Sequence, residues 1–384
     1  MKQKKSSPLK KALFVAAALL PLAVQASENS NQKVPHERAT ITHTVGFRNA
    51  DRPAVIIDAE FLWWYGEISN LSYAIKREVR LTGSETAPTQ TAIVPIRKEE
   101  FDWDWNPGVR IGLGVITSLD GWDVYANWTY YHTSERESET LAPVDAVARG
   151  TPGTQMFTSP WFIQPNSQAY NAISARWGLD FNRVDLELGR NFWVSDELSV
   201  RPMAGVTGFW ADLDFKVHAN RLQMIGIGAS TERSDFNQDS WGAGLLAGLS
   251  SAWHLTRHFS LYGYLEMALT YGKQSIKRNA SINTVDQLGN PTLQYATTLR
   301  DDRYYLQPFI DLGMGIRFEN TFDSVRAMLD AGWEFHSLLK FNQLFRGTRG
   351  RLSENDNSIT HSDYPSTNGN LSLSGFVLKG RLEF

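Results

Sequence analysis

Cysteine is absent from this 384-residue chain. That excludes disulfides, thiolate metal centres, cysteine nucleophiles and a lipid anchor carried on cysteine. Long hydrophobic runs are missing too. Past residue 26 no apolar stretch approaches the ~20 residues that a bilayer-spanning helix needs. Membrane insertion would therefore require a closed barrel, the other spanning structure that satisfies every backbone polar group. An excess of one charge is also lacking, with a formal net charge of −3. Without a strongly basic face, nucleic acid is not an expected partner. The sequence contains no Gly-x-Ser-x-Gly elbow, no phosphate loop and no His-Glu-x-x-His. The expectation is a protein that is not an enzyme and that holds no cofactor and no metal.

What the chain has in quantity is aromatic residues, 13 Trp, 13 Tyr and 20 Phe. It opens on Lys2, Lys4, Lys5, Lys10 and Lys11, followed by an apolar run from Ala12 to Val24 and a small-residue site at Val24-Gln25-Ala26. This reads as a cleaved signal peptide over residues 1–26, too short in its apolar part for a membrane helix. Residues 27–51 read as a flexible polar lead-in, and 52–384 as the folded unit.

That unit is written with a period of two. Val55, Ile57, Ala59, Phe61, Trp63 and Tyr65 form one face of a strand, with Asp58 and Glu60 on the other. Two carboxylates in mid-strand are costly in a dry core and ordinary in a watery barrel interior. The same alternation runs through Val109 to Thr117 and from Trp122 to Tyr131. Strand pairs follow at Trp177–Trp193 with Leu198–Trp210, Trp241–Leu255 with Phe259–Tyr271, and Leu306–Phe318 with Val325–Phe335. The strand from Trp177 changes phase near Asn182, which predicts a bulge. Pro202 in mid-strand predicts a local break in pairing. Residues 70–100 read either as an extracellular hairpin or as two further short strands. Short turns fall near Asp120, Asp196, Arg257 and Asn320. Long polar loops are expected at Thr133–Gln168, Val217–Gln238, Lys273–Asp302 and Phe345–Gly369. Short turns on one rim and long loops on the other describe an outer-membrane barrel.

The fold class is thus all-β, a transmembrane antiparallel up-and-down barrel of 10–12 strands with short periplasmic turns and long extracellular loops. A soluble β-sandwich also alternates. Against it stand charges deep within the strands and aromatics near strand ends, as at Trp63, Trp122, Trp193, Trp210, Trp241 and Tyr271. An exported chain that ends on an alternating aromatic strand resembles Gram-negative outer-membrane barrels. In those the closing strand is the assembly signal. The resemblance implies that role for Phe376, Leu378, Leu382 and Phe384, with outer-membrane lipid and the barrel assembly machinery as partners.

The candidate site is the charged inner face: Asp58, Glu60, Arg110, Asp123, Arg183, Asp185, Glu187, Arg201, Glu266, Asp311, Arg317, Arg326, Asp330, Glu334, Lys379 and Arg381. One reading is a channel wall whose mixed charge sets ion preference. The other is a plug of paired charges. Eight strands are just filled by side chains and porins of sixteen or more leave a wide channel, so ten to twelve implies a narrow lumen. Glu334 and His336 share this face and read as a lumen hydrogen bond near the rim rather than a catalytic acid–His pair. Glu354-Asn355-Asp356-Asn357 reads as a solvated loop tip rather than a calcium site. Gly242-Ala243-Gly244-Leu245-Leu246-Ala247 fits the loose dinucleotide pattern, but in a strand its glycines ease curvature or leave lumen space.

The run Trp177-Gly178-Leu179-Asp180-Phe181-Asn182-Arg183-Val184-Asp185-Leu186-Glu187-Leu188-Gly189-Arg190-Asn191-Phe192 resembles the major-outer-membrane-protein-like porins of intracellular bacteria. So do Leu198-Ser199-Val200-Arg201-Pro202, Asn106-Pro107-Gly108-Val109-Arg110 and Gly121-Trp122-Asp123-Val124. Asp185 to Arg190 is the most specific piece. The resemblance implies a pore-forming protein of the Gram-negative outer membrane passing small hydrophilic solutes or ions, and leaves a homo-oligomer open. Cysteine-rich members differ from this chain, so a disulfide-linked envelope network is not implied. The alternative function is an adhesin or structural barrel with a filled lumen, presenting the loops at Thr133–Gln168 and Phe345–Gly369.

Overall fold

A computed structural model describes residues 53–82, 90–118, 121–142, 151–162, 169–222, 228–322, 324–351, 360–363 and 365–384. The expected signal peptide, the lead-in and the Glu354–Asn357 tip lie outside the described residues. Ten long strands run β1 Ala54–Ile68, β2 Trp105–Ile116, β3 Trp122–Thr140, β4 Ala172–Arg190, β5 Leu198–Arg221, β6 Ser230–His254, β7 Phe259–Val285, β8 Pro291–Phe322, β9 Val325–Asn342 and β10 Gly369–Glu383. Each pairs antiparallel with the next, and β10 pairs back to β1, so the sheet closes. No edge of the main sheet is left to satisfy, which a bilayer demands.

The registers set the barrel's size. One row of partners runs Ile56, Gly114, Tyr125, Glu187, Gly205, Leu246, Ala268, Phe309, Leu338, Leu371 and returns to β1 at Ile68. The stagger is therefore twelve residues round the barrel. With ten strands it gives a tilt of about 40° and a backbone radius of about 10 Å. Side chains nearly fill such a tube.

The outer wall follows from the alternation. On β7 Leu265 is exposed, while its neighbour Glu266 points inward to Arg183. Phe259 and Tyr271 on that strand are both exposed. Their twelve-residue separation spans about 30 Å along the barrel axis, the thickness of a hydrocarbon core. Trp241 and Trp253 repeat the spacing on β6. Exposed aliphatic and aromatic residues of this density would drive association in water. Against lipid they are at home. The soluble sandwich is excluded by this belt and by the closed sheet.

The expected bulge at Asn182 is absent. The β4 register runs unbroken against β3 and β5. Trp177, Leu179, Phe181, Arg183, Asp185 and Glu187 all point inward and are buried. The chemistry of the interior changes there, from apolar to charged, and that mimics a phase shift in the sequence. At Pro202 the break is one-sided. Pairing with β4 stops at Met203, while Pro202 keeps its partner Leu249 on β6. A strand-borne proline loses one ladder donor only.

Three of the expected long loops are partly strand. Residues 217–221 and 230–238, 273–285 and 291–302, and 133–140 extend the barrel wall above the membrane. Both faces of those extensions are polar or contact other segments, so the period of two is weak there. Residues 74–99 add no barrel strands. Ala74–Thr82 and Gln90–Glu99 form a hairpin that, with Gln155–Thr158, makes a separate three-stranded sheet. The strand count is ten.

Candidate functional site

The interior has two storeys. Towards the periplasmic turns a cavity of about 220 Å³ is lined by charged side chains. Fifteen of the sixteen expected residues line it together. The sixteenth, Asp58, is fully enclosed beside it by Arg381 (3.1 Å), Lys379 (3.6 Å) and the Tyr125 hydroxyl, which donates at 2.8 Å. The walls reach from His254 and Glu383 at the turn end up to Trp64, Phe309 and Leu338.

Cross-strand register brings these charges together. Glu60 stands opposite Arg110 on one side and Lys379 on the other. Arg110 lies 2.5 Å from Glu60 and 3.1 Å from Glu334, bridging the lumen. Lys379 lies 2.7 Å from Glu60. Arg183 contacts Asp185 at 2.8 Å and Asp311 at 2.6 Å. Arg201 holds Asp123 (2.6 Å) and Glu187 (3.0 Å), and Arg317 holds Asp330 at 2.8 Å. Arg326 joins Glu319 at 2.7 Å and Glu383 at 3.4 Å. The last two carboxylates were absent from the sequence-derived set, although Glu383 shares the alternation of Lys379 and Arg381. His336 lies 2.8 Å from Asp311 and 3.1 Å from Glu334, as the shared face predicted. It sits deeper than the rim, under the Trp64 ring at 4.7 Å, because the wall continues above it.

Among the described charges of the cavity wall, the pairing of Arg183 is incomplete. Arg183 Nη2 makes no hydrogen bond, and Glu266 is 4.0 Å away. Nine carboxylates line the cavity against seven Arg or Lys side chains and His336, which contacts two of those carboxylates, so its wall carries a slight acidic excess. The bulk of the rings is accommodated by glycine. A Cβ at Gly112 would overlap the Tyr125 hydroxyl and Asp58, and one at Gly189 would overlap the Arg201 guanidinium.

The upper storey is an apolar plug, and sequence reasoning missed it. Phe101, Trp161, Phe162, Phe341, Leu344 and Phe345 come from connecting segments or strand tips and bury themselves against Trp177, Leu213, Phe215 and Phe236 of the wall. Lys340 adopts a positive φ of 57°, and the β9–β10 register breaks between Leu338 and Asn342. This bend turns Phe341 into the mouth. Its carbonyl accepts hydrogen bonds from Gln238 (2.8 Å) and Gln274 (2.7 Å) of β6 and β7. The Trp161 indole donates to the Ser72 carbonyl at 2.7 Å, and Arg278 donates to the Trp161 carbonyl at 2.7 Å. The Tyr170 hydroxyl donates to Glu232, and burial together with that carboxylate raises its pKa, keeping it a donor. Arg110 over Trp64 (5.7 Å) and Arg183 over Phe309 (5.0 Å) mark the boundary between the storeys.

Phe376, Leu378, Leu382 and Phe384 all face outward on or just past β10, in the exposed belt. Among the described residues no cluster of three or more His, Asp or Glu has the arrangement of a metal site.

The family profile described as the Legionella pneumophila major outer membrane protein precursor matches residues 51–384. The chain belongs to that family. It is therefore an outer-membrane barrel, in agreement with the resemblance carried by Trp177 to Phe192. Among solved structures it is similar to the outer membrane protease OmpT from Escherichia coli, at 11% identity and a TM-score of 0.36, over 89% of this chain and 98% of that one. It is also similar to the P. putida toluene transporter TodX, at 10% identity and a TM-score of 0.27, over 87% and 90%. A Pseudomonas aeruginosa FadL homologue is similar at 9% identity and a TM-score of 0.22, over 87% and 90%. At these scores the likeness carries no argument about this chain. No curated protein matches it.

Proposed function

We propose that this family member is a narrow channel for small ions and small hydrophilic solutes, held shut at its extracellular mouth in the present conformation. The observation that supports it is the cavity itself: space walled by charge and reaching the periplasmic end, with more carboxylates than cations on its surface. Charged linings exclude apolar solutes, and an acidic excess favours cations. The plug is the gate. Two neutral hydrogen bonds from Gln238 and Gln274 to one carbonyl are a modest latch, at about 1 kcal/mol each.

Planar-bilayer recording tests this. The native protein should show rare, cation-selective openings, and Gln238→Leu/Gln274→Leu should open about 30-fold more often. A folded barrel that passes no current in either form refutes the channel. The second reading is a filled structural barrel that presents its extracellular segments, and the buried packing of Trp161 and Phe341 favours it. Silence in both recordings would select it.

A further inference from the structure

On the outer wall above the aromatic belt, three cations face one another directly. Arg136 on β3 stands opposite Arg176 on β4, and Arg176 stands opposite Lys216 on β5. All three are exposed. They point away from the barrel, since their neighbours Ala175, Phe215 and Val217 fill the interior. Like charges directly across a sheet destabilise it, so three in a row need a compensating anion. Among the described residues neither Arg136 nor Arg176 forms an ion pair, and the acids beside Lys216 are engaged elsewhere: Asp214, two residues along the same face, accepts from Asn237 at 2.8 Å. The nearest acidic position in the row, Asp235 opposite Lys216, is taken by Arg233 at 2.6 Å and His218 at 3.5 Å.

Height identifies the anion. Arg136 lies six residues beyond Tyr130 and Lys216 six beyond Trp210, both aromatics of the upper belt. Six tilted strand residues rise about 15 Å. Long basic side chains bend back towards the interface and bring their heads down into the headgroup zone. In an outer membrane that zone is filled by phosphorylated glycolipid, and guanidinium forks match phosphate geometry.

We propose that Arg136, Arg176 and Lys216 form a docking site for the phosphate groups of outer-leaflet lipopolysaccharide. The site sits on the outward face of the wall at headgroup height, apart from the lumen. It would anchor one glycolipid against strands β3 to β5 and relieve the repulsion among the three cations.

The test uses the folded full chain in detergent micelles, with its fold checked by heat-dependent electrophoretic mobility. Binding of purified lipopolysaccharide is measured by native mass spectrometry beside the Arg136→Gln/Arg176→Gln/Lys216→Gln variant. A juxtamembrane cation contributes roughly fivefold to anionic-lipid binding, so the triple variant should bind about 100-fold more weakly. Arg80→Gln/Lys98→Gln, on the separate extracellular hairpin, should bind like the native chain. Should the triple variant fail to fold, Arg176→Gln alone should lose about fivefold. Dephosphorylated lipopolysaccharide should bind the native chain as weakly as intact lipopolysaccharide binds the variant. Equal binding by native and variant protein overturns the proposal, as does indifference to dephosphorylation. It is also overturned if inorganic phosphate competes mole for mole, which marks a free-phosphate site, or if heparin binds more tightly than the glycolipid, which marks a soluble polyanion.

Discussion

Replacing Arg110 with methionine should destabilise the barrel by about 3 kcal/mol. The guanidinium contacts Glu60 at 2.5 Å and Glu334 at 3.1 Å, and its Nε donates to the Thr129 hydroxyl at 2.9 Å. Both carboxylates are enclosed, at 4% and 3% exposure. Removing one member of a buried ion pair costs about 3–5 kcal/mol, because the orphaned charge remains in place. Each carboxylate here keeps one other partner, Lys379 for Glu60 and His336 for Glu334, which puts the loss at the low end. Methionine preserves most of the stem but gives up the guanidinium's place over the Trp64 ring at 5.7 Å, which adds to the loss. Equilibrium urea unfolding in lipid vesicles, followed by tryptophan fluorescence, measures the loss. Adding Glu334→Gln removes one orphaned charge and should recover at least 1 kcal/mol. A loss below 1 kcal/mol for Arg110→Met, or no recovery in the double variant, would show that water reaches these carboxylates freely and that the pairing is not structural.

Two further perturbations probe the outer wall and the plug. Leu265 lies midway between Phe259 and Tyr271 on the lipid side, so Leu265→Arg should cost about 2–4 kcal/mol in the same unfolding assay. Asn279→Arg, on the same face but above the belt, should cost under 1 kcal/mol. Trp161 is fully buried, with its ring 4.8 Å from Phe215 and 5.4 Å from Phe236. Trp161→Ala should remove about 3–5 kcal/mol of packing from the plug. Hydrogen exchange should then speed up in the segments around Trp161 and Phe341 while the amides of β7 and β8 within the belt stay protected. Uniform acceleration through the belt would show that plug and wall unfold as one unit.

The lumen charges were legible in the sequence because each follows its strand's own alternation. Glu60, Arg110 and Lys379 needed only the period of two to be placed inward. Which charge meets which was not legible. Arg110 and Glu334 lie 224 positions apart, and only the closed register places them side by side. The plug was illegible for a related reason. Phe101, Trp161 and Phe345 lie in polar connections without periodicity, where an aromatic residue gives no sign of the surface it will cover. The apparent phase change at Asn182 had the same source, since a strand whose inner face is apolar above and charged below looks shifted when read as a line of residues.

Alternation, with charge deep in the strands and aromatics near their ends, decided that this chain would be a membrane barrel, because lipid on one face and water on the other of the same ribbon is a local requirement, met two residues at a time. The number of strands, the twelve-residue stagger, the pairing of the charges and the sealing of the mouth were decided only in three dimensions. They depend on which strands meet and on what the connecting segments find to bury against, and neither is written in any one stretch of chain.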